Sequence, residues 1–179
     1  MKGKCEMAIN TDFNIDNGVK AARKLLRTYV NVGTKEAKEW FLLGQGIEDS
    51  AIETNFESET VSDILGNSET SVTSAAPSQS FDPFTVRGGS KLAFMLHEIW
   101  LNKEYEKLSQ FEMLTVYKYI GTESDGYEAD LQDNCTILFD SIGGSANVDM
   151  PITVNYSDNK QRGTVKFEDG EPVFTPAAA

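Results

Sequence analysis

The chain holds one histidine and two cysteines among 179 residues. His97 stands alone inside an apolar helical stretch, where an imidazole ordinarily packs rather than reacts. Triad-type nucleophiles and histidine-rich zinc sites therefore find no support. Cys5 and Cys135 are too few for a disulfide framework and form no CxxC pair, so a reduced, intracellular protein is the expectation. No apolar run approaches the ~20 residues of a membrane span, and the charged N-terminus lacks the apolar segment of a secretory leader. GxSxG, P-loop and HExxH patterns are missing, and Gly44-Gln45-Gly46 reads as a turn. The stretch 12–18, DFNIDNG, begins like a calcium loop. Asn17 occupies the sixth position, where glycine is needed, and Arg23 stands where the closing glutamate belongs. Asn134-Cys135-Thr136 and Asn155-Tyr156-Ser157 match the glycosylation sequon, a pattern frequent by chance. No catalytic residue, metal ligand or cofactor is expected.

Positive charge is also scarce. Lysine and arginine number 16 against 28 acids, a net charge of −12. Such a body is poorly suited to wrapping nucleic acid, because phosphate binding relies on basic side chains. The imbalance is uneven. Residues 1–27 carry six bases and three acids, a net of +3 that leaves −15 for the rest. The first 17 residues are polar and irregular and read as a flexible arm, with Met7 a possible alternative start. The stretch GVKAARKLLR (18–27) favours a short basic helical turn. Residues 28–179 then form a single β domain. At 40% hydrophobic and 10% aromatic residues, the chain can build a real core.

What remains is β-rich. TYVNV (28–32) and EWFLL (39–43) have strand composition. AIETNFESET (51–60) alternates without a break, and the alternation runs on to Ile64. As one strand it sets Ile52, Phe56 and Ile64 on an apolar-to-neutral face, and Glu53, Glu57, Glu59 and Asp63 on the other. LGNSE (65–69) turns the chain into a second extended run, Thr70 to Phe84, that is nearly uncharged, to complete a long hairpin. Pro77 and Pro83 mark its far end as an edge.

One convincing helix lies within 87–108, capped by Ser90. Leu92, Met95, Leu96 and Ile99 form one apolar stripe. Phe94, His97 and Leu101 form a second, with Ala93 and Trp100 between. Two apolar sides call for two partners, the chain's own sheet and a neighbouring subunit. FEMLTVYKYI (111–120) follows as a strand, SDGYE (124–128) as a turn, and CTILFD (135–140) and MPITVNYS (150–157) as strands. GTVKFEDGEPVFT (163–175) closes the chain as a hairpin turning at Asp169-Gly170. Trp40 and Trp100 sit in apolar surroundings and read as core. The expected architecture is mainly β, an antiparallel sandwich or barrel of about eight strands with one flanking α-helix.

In order and length these elements resemble the major tail protein, or tail tube protein, of long-tailed bacteriophages. The resemblance spans residues 28–177. It rests on the 40–70 block with its DILG turn, the SKLAFMLHEIW helix, the FEMLTVYKY strand and the terminal GTVKFEDGEPVFTPA hairpin. It implies a non-enzymatic virion protein, assembled in the host cytoplasm, whose inner sheets join in hexameric rings that stack into a hollow tube. Its partners would be further copies of itself, the tape measure, tail tip and terminator proteins, and genome DNA that passes through the lumen without specific binding. The inner tube of a contractile tail or injection system, a terminator-like ring and a ligand-binding β-sandwich module are the alternatives. Under the resemblance, Glu53, Glu57, Glu59 and Asp63 face the lumen and repel phosphate, Ile52, Phe56 and Ile64 face the subunit core, and Thr70–Ser80 adds a neutral hydroxyl surface. Phe94, Trp100 and Leu101 meet a neighbouring subunit, and the basic arm (Lys20, Arg23, Lys24, Arg27) clamps the acidic body of the next. Removing the arm, or raising salt, should then weaken assembly in sedimentation. Unchanged assembly after the deletion would refute the clamp.

Overall fold

The computed structural model describes residues 13–177. Residues 1–12 of the expected N-terminal arm (1–27), with Cys5, lie outside the described residues. Where the chain enters view, Phe13 bridges to Ile120, and the Asn14 amide N–H donates to the Tyr119 carbonyl at 3.0 Å. Eleven strands and one helix follow: β1 (Leu26–Asn31), β2 (Trp40–Leu42), β3 (Ile52–Glu53), β4 (Phe56–Ser62), β5 (Ser68–Ala75), β6 (Ser78–Phe81), α1 (Lys91–Asn102), β7 (Phe111–Thr122), β8 (Gly126–Phe139), β9 (Ile152–Asn155), β10 (Lys160–Glu168) and β11 (Glu171–Pro176). The fold is mainly β, its sheet a curled antiparallel half-barrel with one flanking helix.

Nine strands make the main sheet, in the order β2-β1-β7-β8-β9-β6-β3, with β10 and β11 branching from β8. Strand β8 is the junction. Residues 127–132 are flanked by β7 and β10, and residues 136–139 pair with β9. The change of course falls at a bulge. Phe111 and Met113 of β7 oppose Cys135 and Gln132, so β8 carries an extra residue there, and Asn134 is left-handed with φ 56°. A bulge of this kind bends its strand and increases the local twist. The stretch 126–134, expected to begin as a turn (124–128) and otherwise assigned to no element, is thus the first two-thirds of the longest strand. Its acids Glu128 and Asp130 disguise it because each is buried against a cation.

Alternation through β1 and β7 buries both faces of the sheet. Val30 and Met113 join the core beneath the helix, with Leu92, Leu96, Ile99, Ile137, Met150 and Val154. Their immediate neighbours Tyr29 and Leu114 join a second cluster with Val116, Ala129 and Val165, which Trp40, Phe167 and Phe174 pack against. The helix is shorter than its sequence pattern. The Ser90 side chain accepts from the Ala93 N–H at 3.4 Å, and Lys103 turns left-handed (φ 58°) to end it, followed by a 3-10 turn at Tyr105–Ser109. The Asp169-Gly170 turn forms as expected, with φ of 51° and 89°, the paired positive values that fit the right-handed twist of a hairpin.

Two expectations are overturned. The strand read as continuous from 51 to 64 breaks at Asn55, which is left-handed (φ 46°), so β3 pairs with β6 while β4 pairs with β5 alone. Of the three residues assigned to its core face, only Ile52 packs on the core; Phe56 and Ile64 are exposed. Trp100, read as core, is half exposed: near the C-terminal end of the helix it meets Phe139 and Tyr105 at the rim of the core rather than entering it.

Leu96 is fully buried between helix and sheet. Leu96→Ala should lower unfolding free energy by about 2–5 kcal/mol in a denaturant titration. A loss within experimental scatter would show that the helix does not anchor this core.

Candidate assembly surfaces

The β4–β5 hairpin stands off the body. All seven residues of β4 and all eight of β5 are exposed. Its root is tied by Asn55, whose side-chain amide donates to the Ala76 carbonyl at 2.9 Å and the Ser78 hydroxyl at 3.0 Å. Cross-strand pairing defines two faces. One carries Phe56, Ser58, Thr60, Ser62, Ser68, Thr70, Val72 and Ala75, with hydroxyl–hydroxyl bonds of 2.8 Å at Thr60–Thr70 and Ser62–Ser68. The other carries Glu57, Glu59, Val61, Glu69, Ser71 and Ser74, and Glu57 accepts from Ser74 at 2.8 Å. The register steps between Glu57 and Ser58 and leaves Thr73 over as a bulge.

The four candidate acids are thus not one row. Glu57 and Glu59 share a face, Glu53 lies beyond the break on β3, and Asp63 belongs to the turn. Asp63 accepts from the backbone N–H of Leu65 (2.8 Å) and Asn67 (2.9 Å) and from the Asn67 side chain (2.8 Å). Those bonds, the Asn67 side chain first, hold its carboxyl below the ordinary value. Glu69 joins Glu57 and Glu59 from the opposite strand. It went unassigned because the turn was read at 65–69, whereas it closes through Asp63–Asn67 and leaves Glu69 paired with Val61.

The second surface is the outer side of α1. Phe94 is 67% exposed, Leu101 59% and Trp100 50%. Trp100 stacks loosely on Tyr105 (centroids 6.1 Å apart) and meets Phe139 edge-on at 6.3 Å. Beside Phe94 runs a groove of about 930 Å³, walled by Val32, Met95, Ile142, Val148 and Met150, with Arg87 and Glu98 among its polar residues. His97 borders it half-buried, as a packing residue.

The arm bases divide. Lys20 and Lys24 are exposed. Arg23, in a 3-10 turn at Arg23–Leu25, donates to the Ser50 carbonyl at 2.9 and 2.7 Å and to the Leu26 carbonyl at 2.7 Å. Arg27 lies in β1 with its guanidinium 5.9 Å from the Phe167 ring centre. Lys118 lies 4.7 Å from that ring centre and 4.9 Å from that of Tyr127; burial, then the neighbouring Arg27 charge, lowers its pKa. A truncation that tests the arm alone therefore has to stop short of residue 22.

Inside the sheet, acids are matched. Glu112 is bound by Lys38 and by the Asn31 amide at 3.0 Å. Asp130 is bound by Lys160 (2.6 Å) and the Tyr117 hydroxyl (2.8 Å), and Glu128 by Arg162. Glu128 Oε2 is buried without a partner. Among the described residues no group of three or more His, Cys, Asp or Glu could hold a metal ion, and no helix is long and apolar enough to cross a membrane.

No family model and no curated protein matches the chain. Among solved structures it is similar to a sheath/tube terminator of an extracellular contractile injection system (PVC) in the extended state. There the identity is 9%, the TM-score 0.47, and the match covers 80% of this chain and 96% of that one. A sheath-tube complex of the same kind of system gives 11%, 0.43, 78% and 88%. The anti-feeding prophage cap, a tube-terminating cap, gives 14%, 0.45, 84% and 96%.

The buried tyrosines set an alkaline limit. Burial raises Tyr156 to about 12 from 10.0, and raises Tyr117 through burial and then the Asp130 charge. A raised pKa contributes stability that is complete below pH 10 and is lost as pH climbs through the folded value. Urea midpoints should fall from pH 10 upward, in step with tyrosinate absorbance. Tyr156→Phe should flatten that fall, and an unchanged slope in this variant would reject the assignment.

Proposed function

We propose that the chain is a structural tail-tube-type subunit of a bacteriophage or phage-like particle, assembling with copies of itself into stacked hexameric rings around a lumen that passes DNA. One observation carries the reading: the β4–β5 hairpin, fully exposed on both faces and carrying Phe56, Val61 and Val72 into solvent. A two-stranded ribbon is marginal by itself in water. Its exposed apolar side chains and open edges suit pairing with a neighbouring copy, which removes those edges from solvent. The exposed Phe94, Trp100 and Leu101 supply a second apolar contact of the same kind.

Within such a ring the Glu57, Glu59 and Glu69 face turns to the lumen and the Phe56 and Val72 face to protein. Ring symmetry repeats the carboxylates, so the wall repels phosphate and DNA slides without sticking. Lys20 and Lys24 reach toward the acidic body of the next subunit, and tape measure, tip and terminator proteins meet the tube at its ends.

Electron microscopy of the purified chain over a range of concentrations should show six-fold rings or hollow tubes. A chain that stays monomeric throughout, with tail-tip protein supplied as a nucleus as well, overturns the proposal. In tubes of the triple variant E57K/E59K/E69K, duplex DNA should be retained at low salt and released as salt rises, unlike wild type. Identical DNA behaviour in both would place these acids elsewhere than on the wall.

A further inference from the structure

The turn of the β4–β5 hairpin exposes two aliphatic side chains side by side, Ile64 completely and Leu65 at 81%. Polar residues are the rule at a hairpin tip, since a turn projects into water and packs on nothing. The turn does not need these two. Asp63 closes it by accepting from Leu65, Asn67 and the Asn67 side chain, whatever residues stand at 64 and 65. Elsewhere on the chain lies a cavity of opposite form, the groove beside α1. Its apolar walls include Phe94, Ile142 and Val148, all substantially open to solvent.

We infer that the hairpin tip of one copy docks into the α1 groove of a neighbouring copy, with Ile64 and Leu65 as the inserted anchors. Charge favours this occupant. Between Lys38 and Arg87 the sequence has no lysine or arginine, so the hairpin presents Glu57, Glu59, Asp63 and Glu69 with no base of its own. The groove contributes Arg87, which enters none of the ion pairs among the described residues. Lys91 also lines it, held by Glu39 at 2.5 Å. Glu98 is the acid on that side and lies on the helix, four residues beyond Phe94. Tip and groove are different surfaces of one molecule, so a contact that is not reciprocated within a pair is head-to-tail. Contacts of that kind close into rings or extend into filaments rather than stopping at a dimer. A few side chains seated in desolvated pockets carry most of the energy of an interface, and docking would give Ile64 and Leu65 that position.

The inference rests on the self-assembly reading, and a disulfide trap separates the two. Full-length chains with Cys5→Ser are made in two versions, one with Leu65→Cys and one with Val148→Cys. Both new positions are exposed, and Cys135 is buried. Mixed and mildly oxidised, they should give a cross-linked heterodimer, which a Val173→Cys control on β11 does not give with Leu65→Cys. Ile64→Asp with Leu65→Asp should abolish assembly while leaving circular dichroism and the urea midpoint unchanged, because neither side chain packs within the chain. Rings or tubes that form without the cross-link overturn the docking and leave the self-assembly reading standing. Absence of both particles and cross-link overturns both. Native mass spectrometry showing a small apolar molecule retained in the groove, with the cross-link blocked, assigns the groove to a ligand and overturns the docking as well.

Discussion

Burial of both faces of the β1–β7–β8 ribbon is the constraint on which the rest of the structure depends. Neighbouring residues such as Tyr29 and Val30, or Met113 and Leu114, enter separate apolar clusters on opposite sides of one sheet. The helix covers one side, and the curl of the sheet brings Phe167 and Phe174 to the other. That arrangement uses up the interior. Among the described residues β4 and β5 cover no part of that core, and as strands they pair only with each other. The bulge at Asn134 belongs to the same logic, because it lets one strand serve two differently oriented parts of the sheet.

Charge is sorted along the same division. Where acids are interior, each has a cation or donor: Glu112 has Lys38, Asp130 has Lys160 and Tyr117, and Glu128 has Arg162. Removing one member of such a pair leaves a buried charge uncompensated and costs more than the pair contributes. On the hairpin the acids have only neutral donors beside them: a hydroxyl at Glu57, and backbone N–H groups with the Asn67 amide at Asp63. The hairpin's four acids, Glu57, Glu59, Asp63 and Glu69, therefore stand without a cation where the chain is fully exposed.

Much of this was legible in the sequence. The helix stripe of Leu92, Leu96 and Ile99, the Asp169-Gly170 turn, the strand at 111–120 and the existence of a hairpin turning near residue 65 follow from periodicity and turn chemistry. The failures have physical causes. Strand β8 was hidden because Glu128 and Asp130 look like solvent residues until Arg162 and Lys160, some 30 positions away, come alongside. Asn55 tolerates a left-handed backbone, yet nothing local announces that it adopts one. Phe56 and Ile64 follow the alternation of a half-buried strand, but alternation reports that one face is apolar and not which molecule covers it. Trp100 misled in the same way, as an aromatic on a helix with two apolar sides.

The hairpin's composition also bears on time as well as place. A free subunit carries an open two-stranded edge into a crowded solution of identical subunits, the setting in which edge strands pair at random. Because every ionisable group on that hairpin is an acid, two hairpins meeting edge to edge repel one another across their length. In the proposed assembly, growth would then be slow to begin in bulk solution and quick wherever a basic surface relieves the repulsion. The same carboxylates would act as a delay on nucleation, keeping a pool of unassembled chains intact until a starting point is supplied.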